Sequence, residues 1–131
     1  MIKLNIGCGW RNFGSEWIHI DGGDYDHLDY KDITKLEFDD NSVDLIYASH
    51  VLEYFDINQA KVTLREWRRV LKPGGELRLA VPDFEAMNSL YNTGAISLED
   101  IIGPLYGRMP MGNKTIYHKT TYDFNILRKL L

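Results

Sequence analysis

A single cysteine in 131 residues leaves no partner for an internal disulfide, which agrees with a reducing compartment. Apolar runs are short: none approaches the roughly 18 residues that cross a bilayer, and the N-terminus lacks the basic-then-apolar pattern of a signal peptide. A cytoplasmic protein that makes no membrane contact is expected. Basic charge is scarce as well. Fifteen Lys and Arg against 19 Asp and Glu give a net charge of −4, which argues against a nucleic-acid backbone as the main partner. No His/Cys cluster has metal-ligand spacing, and the acids between Asp21 and Asp32 do not fit an EF-hand, so no metal is expected. The sequence has no internal repeat, no low-complexity segment and no Pro- or Gly-rich linker. One domain over residues 1–131 follows, with a composition that is 44% hydrophobic and therefore able to form a core.

What is present starts at once. Ile2, Leu4 and Ile6 alternate into a Gly7-Cys8-Gly9 turn, the pattern of a strand that stops where a ligand meets backbone. Trp17 to Asp21 is a second strand pattern that ends in an acid and two glycines. Only seven residues, Trp10 to Glu16, separate the two, too few for a crossover helix. Ser42 to Ala48 reads as a central strand of a parallel sheet. Asp56 with Gln59 three residues on reads as a capping box, opening a helix through Leu71 whose buried stripe is Ala60, Leu64, Trp67 and Leu71. Its Lys61, Arg65, Arg68 and Arg69 read as a solvated face. Lys72-Pro73-Gly74-Gly75 stops this helix. A strand over 76–81 follows, then helices after Asp83, after Ser97 and over 122–131. The segment 107–119 reads as an irregular loop suited to a lid. Strands alternating with helices predict a parallel α/β sheet that binds ligands beyond the carboxyl ends of its strands.

Four segments together resemble the class I S-adenosylmethionine-dependent methyltransferases. They are L-N-I-G-C-G at 4–9, W-I-H-I-D-G at 17–22, D-I-T-K-L-E-F-D-D-N-S-V-D-L-I-Y-A-S-H-V-L-E-Y-F at 32–55 and E-W-R-R-V-L-K-P-G-G-E-L-R-L-A-V-P-D at 66–83. The resemblance implies an α/β, Rossmann-like, mostly parallel sheet of about five strands, lacking the family's sixth and seventh. It implies S-adenosylmethionine as cofactor and S-adenosylhomocysteine as product, held by Gly7, Cys8, Gly9, Asp21, Gly22, Asp32, Ile33, Ala48 and Ser49. In that scheme Gly7 and Gly9 admit the methionine part and Asp21 takes the ribose hydroxyls. Asp32 and the Ile33 backbone hold the adenine edge, and Ala48-Ser49-His50 line the sulfonium end. Cys8 is expected to fill space in the turn rather than react. Asn5 stands where the family commonly has an acid, and Trp10-Arg11 where it often has a third glycine.

The expected activity is methyl transfer to a small-molecule or saccharide-like acceptor. His50, His118 and Asp83 are the candidate bases. Glu53 and Tyr54 are expected to pack or hydrogen-bond near the same turn, and His19 and His27 to be structural. An open sheet edge at 76–81 predicts a homodimer. The alternative function is a non-catalytic binder of S-adenosylmethionine or S-adenosylhomocysteine that acts through dimerisation. A nicotinamide dehydrogenase fails on spacing, because residue 12 is Asn12 rather than a third glycine and Asp21 comes too early for a dinucleotide ribose.

Overall fold

Residues 1–131 are described by a computed structural model. Its centre is a four-stranded parallel sheet in the order β2-β1-β3-β4, with β1 Lys3–Ile6, β2 Ile18–Ile20, β3 Val43–Ser49 and β4 Leu71–Ala80. The inner strands β1 and β3 are the apolar ones, and Leu4, Ile6, Val43, Ile46 and Ala48 are fully buried. Beyond β2 the sheet continues only as one parallel bridge, Ile20 with Tyr30. No helix forms between Gly9 and Trp17, as the short connection requires.

Helix α1, Ile57–Val70, starts at the Asp56/Gln59 capping box, with Gln59 N donating to Asp56 Oδ1 at 2.8 Å. It buries Ala60, Leu64, Trp67 and Val70 against the sheet. The basic run on this helix is only in part a solvated face. Arg69 donates to the Leu36 and Phe38 carbonyls at 3.0 and 2.9 Å and pairs with Glu66 and Asp40, tying residues 36–40 to the helix. Trp67 makes a parallel tie, its Nε1–H donating to the Ile33 carbonyl at 2.8 Å. Trp67→Phe removes that donor from a fully buried ring and leaves the carbonyl short of a partner. The expected cost is about 2–3 kcal/mol, measurable as a lower urea midpoint at unchanged slope.

Strand β4 begins earlier than the 76–81 pattern indicates. Val43 pairs with Leu71 and Leu45 with Glu76, so residues 72–75 loop out of the ladder. Past β4 come α2, Phe84–Asn92, and α3, Leu98–Tyr106, capped by Asp83 and by a Ser97/Asp100 box. The 107–119 segment is a correction to the expected irregular loop. Met109–Met111 and Lys114–Ile116 pair as an antiparallel hairpin, β5-β6, closed at Gly112 with φ +62° and Asn113. Glycine supplies the left-handed conformation such a turn needs, and Pro110 is tolerated because the hairpin has only edge strands. The chain then returns to the sheet end, where Tyr122 bridges Asp83, and finishes in α4, Phe124–Leu130. β4 pairs only with β3, so its other side is an open edge. No helix is long and apolar enough to cross a membrane.

Candidate functional site

The carboxyl ends of β1, β2 and β3 open into a cleft of about 580 Å³, within the size range of small-ligand sites. Gly7, Asp21, Gly22 and Ile33 form its floor. His50, Val51, Tyr54 and Phe55 form one wall, and β5-β6 with Tyr117, His118 and Lys119 forms the other. Gly7 sits at φ +66°, where an added Cβ would overlap Val51 Cγ2, and Gly9 sits at φ +55°. The glycine turn is therefore shaped by packing as well as by any ligand. Gly22 has the analogous relation to the hairpin: a Cβ there would approach Met111 Sδ to 3.2 Å.

Asp21 is buried at the end of β2. Its Oδ2 accepts from Gly9 N at 2.8 Å and its Oδ1 from Gly23 N at 2.6 Å. One carboxylate thus fixes both glycine turns while each oxygen keeps a second lone pair. Ile33 is half-buried and faces the same space, positioned by the Trp67 bond.

The other sequence-derived positions lie around this floor rather than on it. Asp32 is exposed, and its Oδ1 accepts from Thr34 N and Thr34 Oγ1 at 2.8 and 2.7 Å, contacts that hold its carboxyl below the usual carboxylate range. Ala48 is fully buried in β3, and Ser49 follows it at the strand end. Cys8 is buried with Sγ 3.7 Å from His27 Nε2. Burial and then the Asp21 charge push its thiol up to about 11. At neutral pH an Ellman reagent is expected to leave Cys8 of the folded chain unlabelled over a time in which the denatured chain reacts fully; rapid native labelling would contradict its placement. His19 is also buried, its Nε2 accepting from Phe13 N at 2.9 Å, and burial holds it below the ordinary histidine value.

Of the three candidate bases, His50 and His118 flank both this cleft and a second one of about 490 Å³ that adjoins it. Asp83 lines the second cleft only, with Oδ1 accepting from Glu85 N at 3.1 Å as the cap of α2. His50 has φ +57°, a conformation uncommon for a side-chain-bearing residue, at the turn after β3. Between the two histidines lies Glu53, 1% exposed, with Oε1 at 3.2 Å from His50 Nδ1 and 3.9 Å from His118 Nε2. Glu53 Oε2 and the buried Tyr122 hydroxyl have no hydrogen-bond partner. Burial pushes the Glu53 carboxyl upward, and its backbone amide and the two histidines pull it back. Burial and then the Glu53 charge push the Tyr122 phenol up to about 12. Sequence reasoning placed Glu53 near this turn without a site role, and it did not single out Tyr122.

The parallel sheet, with two glycine turns and an acid brought to one cleft at its strand ends, is a Rossmann-like α/β architecture. Comparison with known proteins narrows this class. A methyltransferase domain family model matches residues 23–79. The fold is similar to a chain in the complex of the Haloferax volcanii Trm112 methyltransferase activator with its methyltransferase partner, at 21% identity and TM-score 0.50, covering 83% of this chain and 62% of that one. It is also similar to a chain of the DhpI-SAM-HEP complex, at 13% identity and TM-score 0.57, covering 97% of this chain and 66% of that one. This chain therefore spans just under two thirds of the length of either. No curated protein sequence matches it. Over residues 23–79 the chain is thus similar to the methyltransferase domain family, and its fold is the Rossmann-like one of these solved structures.

Proposed function

We propose that the 580 Å³ cleft binds S-adenosylmethionine and that the chain transfers its methyl group to a small-molecule or saccharide-like acceptor. The observation that carries this reading is Asp21, a buried carboxylate held by the glycine-turn amides with lone pairs left for ribose hydroxyls. Gly7, Gly9 and Gly22 leave room for the ligand's approach to backbone, and Ile33 would pack on the adenine. Asp32 would act through the loop that carries Ile33, because Thr34 already engages its carboxylate. Cys8, Ala48 and Ser49 would support the turns from behind. The family match and the likeness to a DhpI complex that contains SAM support the same ligand.

When bound, the cofactor supplies a methyl group on a sulfonium that is already a reactive electrophile. The chain's own work is to align an acceptor and exclude water. The β5-β6 hairpin is placed for exclusion, with Met111 over Gly22 and Met109 beside it along the cleft. Calorimetric titration with S-adenosylhomocysteine tests the reading. Saturable one-to-one binding is expected, and no heat at millimolar ligand would overturn it. The open edge of β4 supports, as part of the proposal, a protein partner along it, taken here as a second copy of the chain. Light scattering at tens of micromolar should then give the dimer mass, and a monomer mass would remove the second copy.

A further inference from the structure

The second cleft lies beyond β4, between α2 and α3, and it meets the cofactor cleft at His50, Tyr54 and His118. Its walls are Pro82, Ala86, Met87, Leu90 and Pro104, and no lysine or arginine lines it. Its ionisable groups other than histidine and tyrosine are acids, Glu53 at the base and Asp83 at the rim. An anionic acceptor would meet repulsion there, and an apolar body would gain burial.

The two histidines differ in what they can do. His118 is almost fully buried, its Nδ1 lies 2.9 Å from the Pro104 carbonyl, and its ring packs edge-on against Tyr54. A carbonyl only accepts, so the His118 proton sits on Nδ1 and this ring is fixed as wall. His50 is 60% exposed, and its Nδ1 faces Glu53 Oε1 at 3.2 Å. A carboxylate there takes the Nδ1–H and leaves Nε2 as a bare lone pair. The other groups facing Glu53 are His118, Tyr54 and Tyr122, none of which bonds its free oxygen.

We propose that this cleft is the acceptor site, that it takes an uncharged hydroxyl compound with an apolar body, and that Glu53 positions His50 as the proton acceptor. This rests on the methyltransferase reading. In the step, the hydroxyl oxygen bonds the methyl carbon and its proton passes to His50 Nε2. The electron pair of the broken carbon–sulfur bond stays on sulfur, which becomes a neutral thioether. Glu53 faces the imidazolium so formed and offsets its charge without touching the acceptor.

The test uses the full chain, with phenol and benzoate as probes and NMR of the Met87 methyl and of the histidine ring nitrogens. Phenol is expected to shift the Met87 methyl saturably, at concentrations at which benzoate leaves it in place. His50 is expected as the Nδ1–H tautomer, converting toward the Nε2–H tautomer in Glu53→Leu, a change that a purely structural role would not produce. A silent Met87, or an equal response to benzoate, overturns the acceptor class. A wild-type His50 in the Nε2–H form overturns the pairing even if the variant does not fold. Calorimetry with S-adenosylhomocysteine on the same sample separates the two readings: binding retained with Met87 silent rejects the acceptor site alone, and binding lost rejects the function on which it rests.

Discussion

Asp21→Ala is expected to weaken S-adenosylhomocysteine binding by about 10- to 150-fold, the loss of a charge-assisted hydrogen bond worth roughly 1.5–3 kcal/mol. The same substitution should lower the melting temperature by roughly 10 °C. It orphans the buried amides of Gly9 and Gly23, together a penalty of about 3 kcal/mol in a domain of this size. The two effects are separable. Asp21→Asn keeps one acceptor oxygen for one of the two glycine amides, so it should cost less stability than Asp21→Ala while still losing the bond to the other, which its amide nitrogen cannot accept. Affinity unchanged in a folded Asp21→Ala variant would remove the residue from the site and leave it only as a staple of the two turns.

Gly7→Ala is expected to cost about 3–4 kcal/mol, enough to leave a marginal protein largely unfolded. Two terms add: about 1–2 kcal/mol for a Cβ at φ +66°, and about 1–3 kcal/mol for the overlap with Val51 Cγ2. The double variant Gly7→Ala/Val51→Ala should be more stable than the sum of the single effects, because truncating Val51 relieves the overlap and leaves the backbone term. Additive effects, measured by urea unfolding, would show that the overlap is absorbed elsewhere. Gly9 carries only the first term, its nearest neighbour being Tyr25 Oη at 4.0 Å, so Gly9→Ala should be the milder change.

The elements that could be read from the sequence are those specified by local chemistry. The glycine turn, the Asp56/Gln59 box, the helix start after Ser97 and the absent helix between Gly9 and Trp17 each depend on residues within a few positions of one another. What escaped depends on distant partners. Arg69 looks like one more cation on a solvated face until residues 36–40 fold back onto it. Strands of three residues around Pro110 are too short to show alternation, so the hairpin read as a loop. The start of β4 at Leu71 is set by its pairing with Val43, which no pattern in 71–75 announces. Glu53 sat in plain view beside the turn after β3, but its significance comes from His118, 65 residues further on in sequence, and from Tyr122. In the site itself, Gly7, Asp21, Gly22, Ile33, His50 and His118 converge on one cleft. Asp32, Ala48 and Ser49 were chosen by resemblance and stand around it.

The claim at the centre of this account is that the glycine turns and Asp21 form the seat of a nucleoside cofactor. A crystal structure of the chain with S-adenosylhomocysteine tests it most directly. Ribose hydroxyls are expected within hydrogen-bond distance of the Asp21 carboxylate, adenine against Ile33, and the sulfur at the Gly7 end of the cleft facing His50. Ligand found at another surface, or ribose turned away from Asp21, would contradict it.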